Sequence, residues 1–199
     1  MVYNRAAMRL DPDTLLDAYT QGAFPMTDED GRIRWYSANP RGVLPLASFH
    51  IPLSLRQILR QRRFEIRINH DFEAAMRACM HARIQRTWIS DELIAAYVQL
   101  HRLGHAHSVE AWRNGKLAGG LYGVSLGGAF FGESMFHHQR DASKVALVAL
   151  VERLQERGYQ LLDTQTCSEH LKRFGCTEIS EEDYLDQLQQ AIKLERQFS

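Results

Sequence analysis

The chain has 199 residues, long enough for one sizeable domain or for a core with a small appended domain. Its 24 basic and 24 acidic side chains cancel to a formal charge of zero, so it lacks the global basicity of a protein that coats nucleic acid, and any contact with RNA must be local. No apolar run approaches the ~18 residues of a membrane span, Met1 to Leu10 has no apolar signal core, and three cysteines without a signal read as reduced thiols; the expected compartment is the cytoplasm.

In chain order, Asp11-Pro12-Asp13-Thr14 predicts a helix start with Asp11 as N-cap, and Gly22 is placed to end that helix. Pro25, Pro40 and Pro45 punctuate a stretch from Phe24 to Leu46 that reads as irregular and contains Trp35-Tyr36. A short helix from Ser54 to Arg63 carries Arg56, Arg60 and Arg63 at i, i+4, i+7, with Arg62 beside them. The alternation of Phe64 to Ile68 predicts a strand, and the boundary between a small N-terminal domain (1–63) and the main domain (64–199) is set there.

Phe72, Ala75, Met76, Cys79 and Met80 repeat with helical spacing, and Ser90 opens a second helix that Gly104 closes. A meander follows: 106–112 and 117–126 flank Asn114-Gly115, a tight-hairpin signal, and 129–136 forms the next strand after Gly127-Gly128. An apolar helix over 143–157, a strand over 160–165 and a last helix opened by the capping box Ser180-Glu181-Glu182-Asp183 complete the pattern. The order β-α-α-β-β-β-α-β-α predicts an α/β (α+β) fold of acetyltransferase type, which by itself leaves the chemistry open.

Three stretches carry candidate chemistry. Asp163 and Gln165 lie two apart on a strand and share a face, as a hydrogen-bonded sheet-edge pair or as site residues. Glu133 stands among Phe130, Phe131, Met135 and Phe136, where a carboxylate needs either a cleft or a cationic partner. The arginines at 56, 60, 62 and 63 fit phosphate oxygens or a plain solvated face. The nine histidines and the set Cys167, His170, Cys176 match no zinc spacing, and neither a serine-hydrolase elbow nor a phosphate-binding loop is present. A cofactor-free, metal-free transfer is expected.

At these positions the chain resembles the leucyl/phenylalanyl-tRNA-protein transferases. The resemblance rests on Ala18 to Met26, Trp35 to Leu44, Thr87-Trp88-Ile89, Ala96-Tyr97, Gly104 to Trp112, Gly119 to Val124, Gly132 to Phe136, Ala142-Ser143-Lys144 and Asp163-Thr164-Gln165; the 171–176 stretch departs from the family's usual Ser-Leu-Gly-Ala. It implies an acetyltransferase-like catalytic domain that moves Leu or Phe, with Met as a further donor, from aminoacyl-tRNA to an N-terminal Arg or Lys of a protein, marking it for degradation. The enzyme would act as a monomer without a membrane.

By the same resemblance, Leu121, Phe130, Phe131, Gly132, Met135, Leu150 and Leu162 form the amino-acid pocket, and Trp35, Trp88 and Tyr97 lie near the aminoacyl-adenosine end. Asp163 and Gln165 fall at the reacting amine, with Asp163 orienting the Gln165 amide, and Glu133 is the site's acidic residue. Two rivals are weighed. A CoA-dependent N-acetyltransferase needs a glycine-rich turn before the helix at 143, where 139–144 has no glycine. A non-catalytic RNA-binding module needs little beyond the arginine ridge.

Overall fold

A computed structural model describes residues 2–3, 10–82 and 87–199. Most of the N-terminal run read for a signal lies outside these residues; Val2–Tyr3 forms β1. Helix α1 (Pro12–Thr20) starts as its sequence dictates: the Asp11 carboxylate accepts from the Thr14 N–H at 2.9 Å, and Gly22, at φ +73°, takes the left-handed turn beyond its end.

The stretch expected to be irregular instead holds three short strands, β2 (Phe24–Thr27), β3 (Ile33–Tyr36) and β4 (Arg41–Val43). Three or four residues give too few alternations to register as a pattern, and the prolines obscure what remains. Strands β1, β3 and β2 make a small antiparallel sheet, whereas β4 enters the large one. The expected division at 63/64 therefore does not coincide with a division of the sheet.

Helix α2 (Leu53–Arg60) leads to β5 (Glu65–Ile68), then to α3 (Phe72–His81) and α4 (Asp91–Arg102). The meander β6 (Ala106–Arg113), β7 (Lys116–Leu126) and β8 (Ala129–His137) follows, with Asn114 and Gly115 both at positive φ in the hairpin turn. Next come α5 (Ala142–Glu156), β9 (Leu161–Gln165), α6 (Glu169–Lys172), β10 (Thr177–Ile179) and α7 (Glu181–Ala191). The sequence reading passed over α6 and β10, each about one turn or a few residues long. From β5 to β9 the order is the acetyltransferase-like one.

The large sheet runs β10-β4-β9-β8-β7-β6-β5, antiparallel except where β9 lies parallel to β8. Alternation along its strands builds a separate core on each face. Tyr122 and Val124 of β7 and Phe131 of β8 join Leu15, Tyr19, Met76, Leu93 and Tyr97 on the side of α1, α3, α4 and α7. Leu121, Phe130 and Leu162 point the other way and pack with Val148, Leu150 and Val151 of α5 and Leu55 of α2. The feature that positions the site is a loss of pairing: β8 and β9 are in register from Ala129↔Leu161 to Phe131↔Asp163 and then part.

Candidate active site

Where β8 and β9 separate, a cavity of about 420 Å³ opens between them. Phe24, Met26, Trp88 and Tyr122 line it from the core on one face, and Leu121, Met135, Leu147, Leu150 and Leu162 from the core on the other. The cavity is thus a passage through the sheet. Gly132, Glu133 and Ser134 form one wall and Thr164, Gln165 and Thr166 the opposite one.

Glu133 reaches this passage because β8 is bulged. Tyr122 pairs with Ser134 and Gly123 with Gly132, leaving Glu133 as the extra residue. Gly123 has no alternative there, since a Cβ would stand 2.2 Å from the Phe131 carbonyl oxygen. The Glu133 carboxylate accepts from Tyr19 Oη at 2.8 Å and from Gln165 Nε2 at 3.3 Å, and Tyr19 Oη is itself hydrogen-bonded to Tyr97 Oη. Burial pushes the Glu133 carboxyl up to about 8; the Tyr19 bond opposes this, and the nearby Asp163 charge adds to it. The same burial raises both tyrosines well above their usual range, so they stay protonated donors.

Asp163 does not reach the passage. It is fully buried, and its carboxylate takes a two-pronged pair from Arg41, Nε to Oδ1 at 3.0 Å and Nη2 to Oδ2 at 2.6 Å. Tyr184 Oη donates to Oδ2 at 2.7 Å, and the Gln165 backbone N–H to Oδ1 at 2.8 Å. Arg41 is equally buried, donates to the Gly22 carbonyl at 2.8 Å and lies against the Phe24 and Tyr184 rings. Of the two settings the sequence left open for Glu133, a cleft or a cationic partner, the structure gives the cleft, and the buried Arg41 pairs with Asp163. Asp163 holds the Gln165 main chain, not its amide, and Gln165 sits at φ +54°, which breaks the regular alternation behind the shared-face expectation.

Of the other residues read from sequence, Trp88, Leu121, Gly132, Met135, Leu150 and Leu162 line the passage. Phe130 and Phe131 are core: their rings pack on Phe198 and Tyr19 at 5.1 and 4.8 Å, on opposite faces. Tyr97 meets the site through its bond with Tyr19 and through its own interaction with Glu133, and Trp35 is buried in β3 opposite Pro25. Arg56, Arg60, Arg62 and Arg63 are all exposed and outside the lining. Sequence reasoning missed Phe24, Met26 and Leu147 as lining and Tyr19, Arg41 and Tyr184 as supports; most lie in the stretches quoted for the resemblance, but nothing local marks what they touch. Several histidines have structural partners: His101 Nδ1 lies 2.8 Å from the Ala106 carbonyl, His70 Nε2 lies 3.0 Å from Arg67, and His107, which burial pushes down to about 4, sits between Asn69 and the Gly104 carbonyl. Among the described residues, no three His, Cys, Asp or Glu side chains could hold a metal ion together.

A split sheet over an apolar cavity, with a protonatable carboxyl and an amide facing each other at the split, is the arrangement of a small-substrate site. The comparisons narrow it. The family model for leucyl/phenylalanyl-tRNA protein transferase matches residues 43–189, and the model for that family's N-terminal domain matches 8–39. The chain belongs to this family of aminoacyltransferases.

A leucyl/phenylalanyl-tRNA–protein transferase of Rubrobacter xylanophilus is 54% identical over 96% of this chain and 100% of its own length, and one of Paramagnetospirillum magneticum is 53% identical over 92% and 90%. Among solved structures, a Brucella melitensis ribosomal-protein-alanine N-acetyltransferase aligns at TM-score 0.38 and 18% identity over 50% of this chain and 78% of its own. L-PGS of Bacillus licheniformis aligns at 0.46 and 11% over 77% and 50%. No helix among the described residues is long and apolar enough to cross a membrane.

Proposed function

We propose that this chain transfers Leu or Phe, with Met as a further donor, from aminoacyl-tRNA to the α-amino group of a protein that begins with Arg or Lys, tagging that protein for degradation. It acts as a monomer in the cytoplasm. The observation that carries the reading is the Glu133–Gln165 contact at the split, directly above an apolar cavity of about 420 Å³.

The amino-acid side chain enters the pocket of Leu121, Met135, Leu147, Leu150 and Leu162, and the terminal adenosine of the tRNA lies against Phe24, Met26 and Trp88. The acceptor amine attacks the ester carbonyl, the C–N bond forms, and the ester C–O bond breaks as the terminal ribose hydroxyl leaves with a proton. An α-amine titrates near ~8 in water, and burial raises Glu133 toward the same range, which suits its carboxyl to exchange a proton with the attacking amine. A cationic acceptor favours the ionised form of Glu133. Gln165 positions the amine through its amide, held by the bond from its main chain to Asp163, which makes placement the larger contribution.

Purified protein with labelled leucyl-tRNA is expected to label a peptide that begins with Arg and, far less, one that begins with Ala. Acetylation of the same peptide from acetyl-CoA, without transfer from leucyl-tRNA, would overturn the reading.

A further inference from the structure

Among the described residues, the edge of β8 that faces the split has no strand beside it beyond Phe131. On its other edge β8 is paired with β7 as far as Gly119↔His137, while pairing with β9 stops at Phe131↔Asp163. Strand β9 cannot close the gap, because β4 holds its far edge at Val43↔Asp163 and Gly42↔Gln165, and positive φ at Gln165 turns the chain away. Among the described residues, β8 from Gly132 to His137 therefore has an open edge. Gly132, Ser134 and Met135 are half-buried walls of the passage, and His137 is exposed at its outer end. Main-chain N–H and C=O groups along such an edge are obligatory hydrogen-bonding groups, and an extended peptide satisfies them strand to strand.

We infer that this edge binds the main chain of the acceptor polypeptide as an added strand parallel to β8. The inference rests on the function proposed above and says how its second substrate is held. The direction follows from charge and access. The acceptor's α-amino group must stand at the closed end of the split, where the Glu133 carboxyl and the Gln165 amide meet, and the only course from there to solvent along β8 is past Ser134 and Met135 to His137. An edge of six residues lies beside about six residues of the added strand, of which about three, alternating along it, turn their N–H and C=O toward β8. Recognition through main-chain groups is indifferent to side chains beyond the first residue, as required of an enzyme that modifies the ends of proteins of varied sequence.

The test is a backbone scan of an acceptor peptide beginning with Arg, assayed with the intact enzyme and leucyl-tRNA. Single N-methyl groups, and separately single ester replacements of the amide that keep its shape, are placed at positions 2, 3 and 4. The inference expects an alternating pattern: kcat/KM falls about 3- to 10-fold where the lost N–H faces β8, and less than about twofold at the adjacent position whose N–H faces away. Side-chain changes at the same positions are expected to cost less than about twofold. A flat scan, or an even loss at every position, overturns the inference while labelling of the unmodified peptide still upholds the transfer itself. Failure to label the unmodified peptide would instead sink the proposed function, and the inference with it.

Discussion

Glu133 concentrates the cost of the site in one side chain. Its carboxyl is held up to about 8 in the folded chain against an ordinary 4.5, so between these values the native state binds more protons than the unfolded one. Stability then falls as pH rises through that window. Gln cannot ionise but still accepts from Tyr19 through its carbonyl. Glu133→Gln is therefore expected to match the wild type in thermal stability near pH 5 and to exceed it progressively toward pH 8. Each tenfold change in proton affinity is worth ~1.4 kcal/mol, which puts the difference at pH 8 on the order of a few kcal/mol. The same variant should lose most of its transfer activity. A stability gap that stays constant from pH 5 to pH 8, read from melting temperatures, would mean the native carboxyl is ionised throughout. The sequence made Glu133 conspicuous as a carboxylate among aromatics; the bulge that aims it and the tyrosine that solvates it were not readable, because both depend on residues that only folding brings close.

Among elements, β4 matters most for its size. Three residues join the N-terminal part of the chain to the large sheet, and one of them, Arg41, neutralises the buried carboxylate that anchors Gln165. Removing one partner of such a pair leaves a charge uncompensated in the interior, at a cost of about 3–5 kcal/mol. Arg41→Ala should lower the unfolding free energy by that amount. Pairing Arg41→Met with Asp163→Leu removes both charges at similar volume and is expected to recover most of the stability, yet not the activity, since Gln165 loses its anchor. Denaturant unfolding and leucyl transfer on the same samples separate the two effects; recovered activity in the double variant would show that Asp163 is only structural. From β6 to α5 the elements were legible because strands of eight to eleven residues and a fifteen-residue helix repeat their periods often enough to be recognised. Strands β4 and β10 and helix α6, of three or four residues, show no period at all, and Arg41 between Pro40 and Gly42 reads as a loop residue.

Across the described residues, two cores lie on the two faces of the split sheet, and the split is where the passage lies. Its tRNA substrate is a large polyanion, while the chain carries no net charge, so attraction must come from how charge is distributed. Helix α2 has the geometry for this. Leu55 and its neighbours pack against α5, the helix that supplies Leu147 and Leu150 to the passage, while Arg56 and Arg60, with Arg62 and Arg63 just beyond, face solvent. One helix therefore separates the arginines from the amino-acid pocket, near enough for one tRNA to engage both. Each phosphate contact contributes about −0.7 to −0.9 to the slope of log affinity against log salt. Changing Arg56 and Arg60 together to Ala is expected to weaken tRNA binding at low salt and to flatten that slope by roughly 1–2. Transfer at saturating aminoacyl-tRNA should stay near the wild-type rate, because neither residue touches the passage. Affinities measured by titration at four or five salt concentrations decide it: an unchanged slope would return the ridge to an ordinary solvated helix face and place the tRNA elsewhere on the surface.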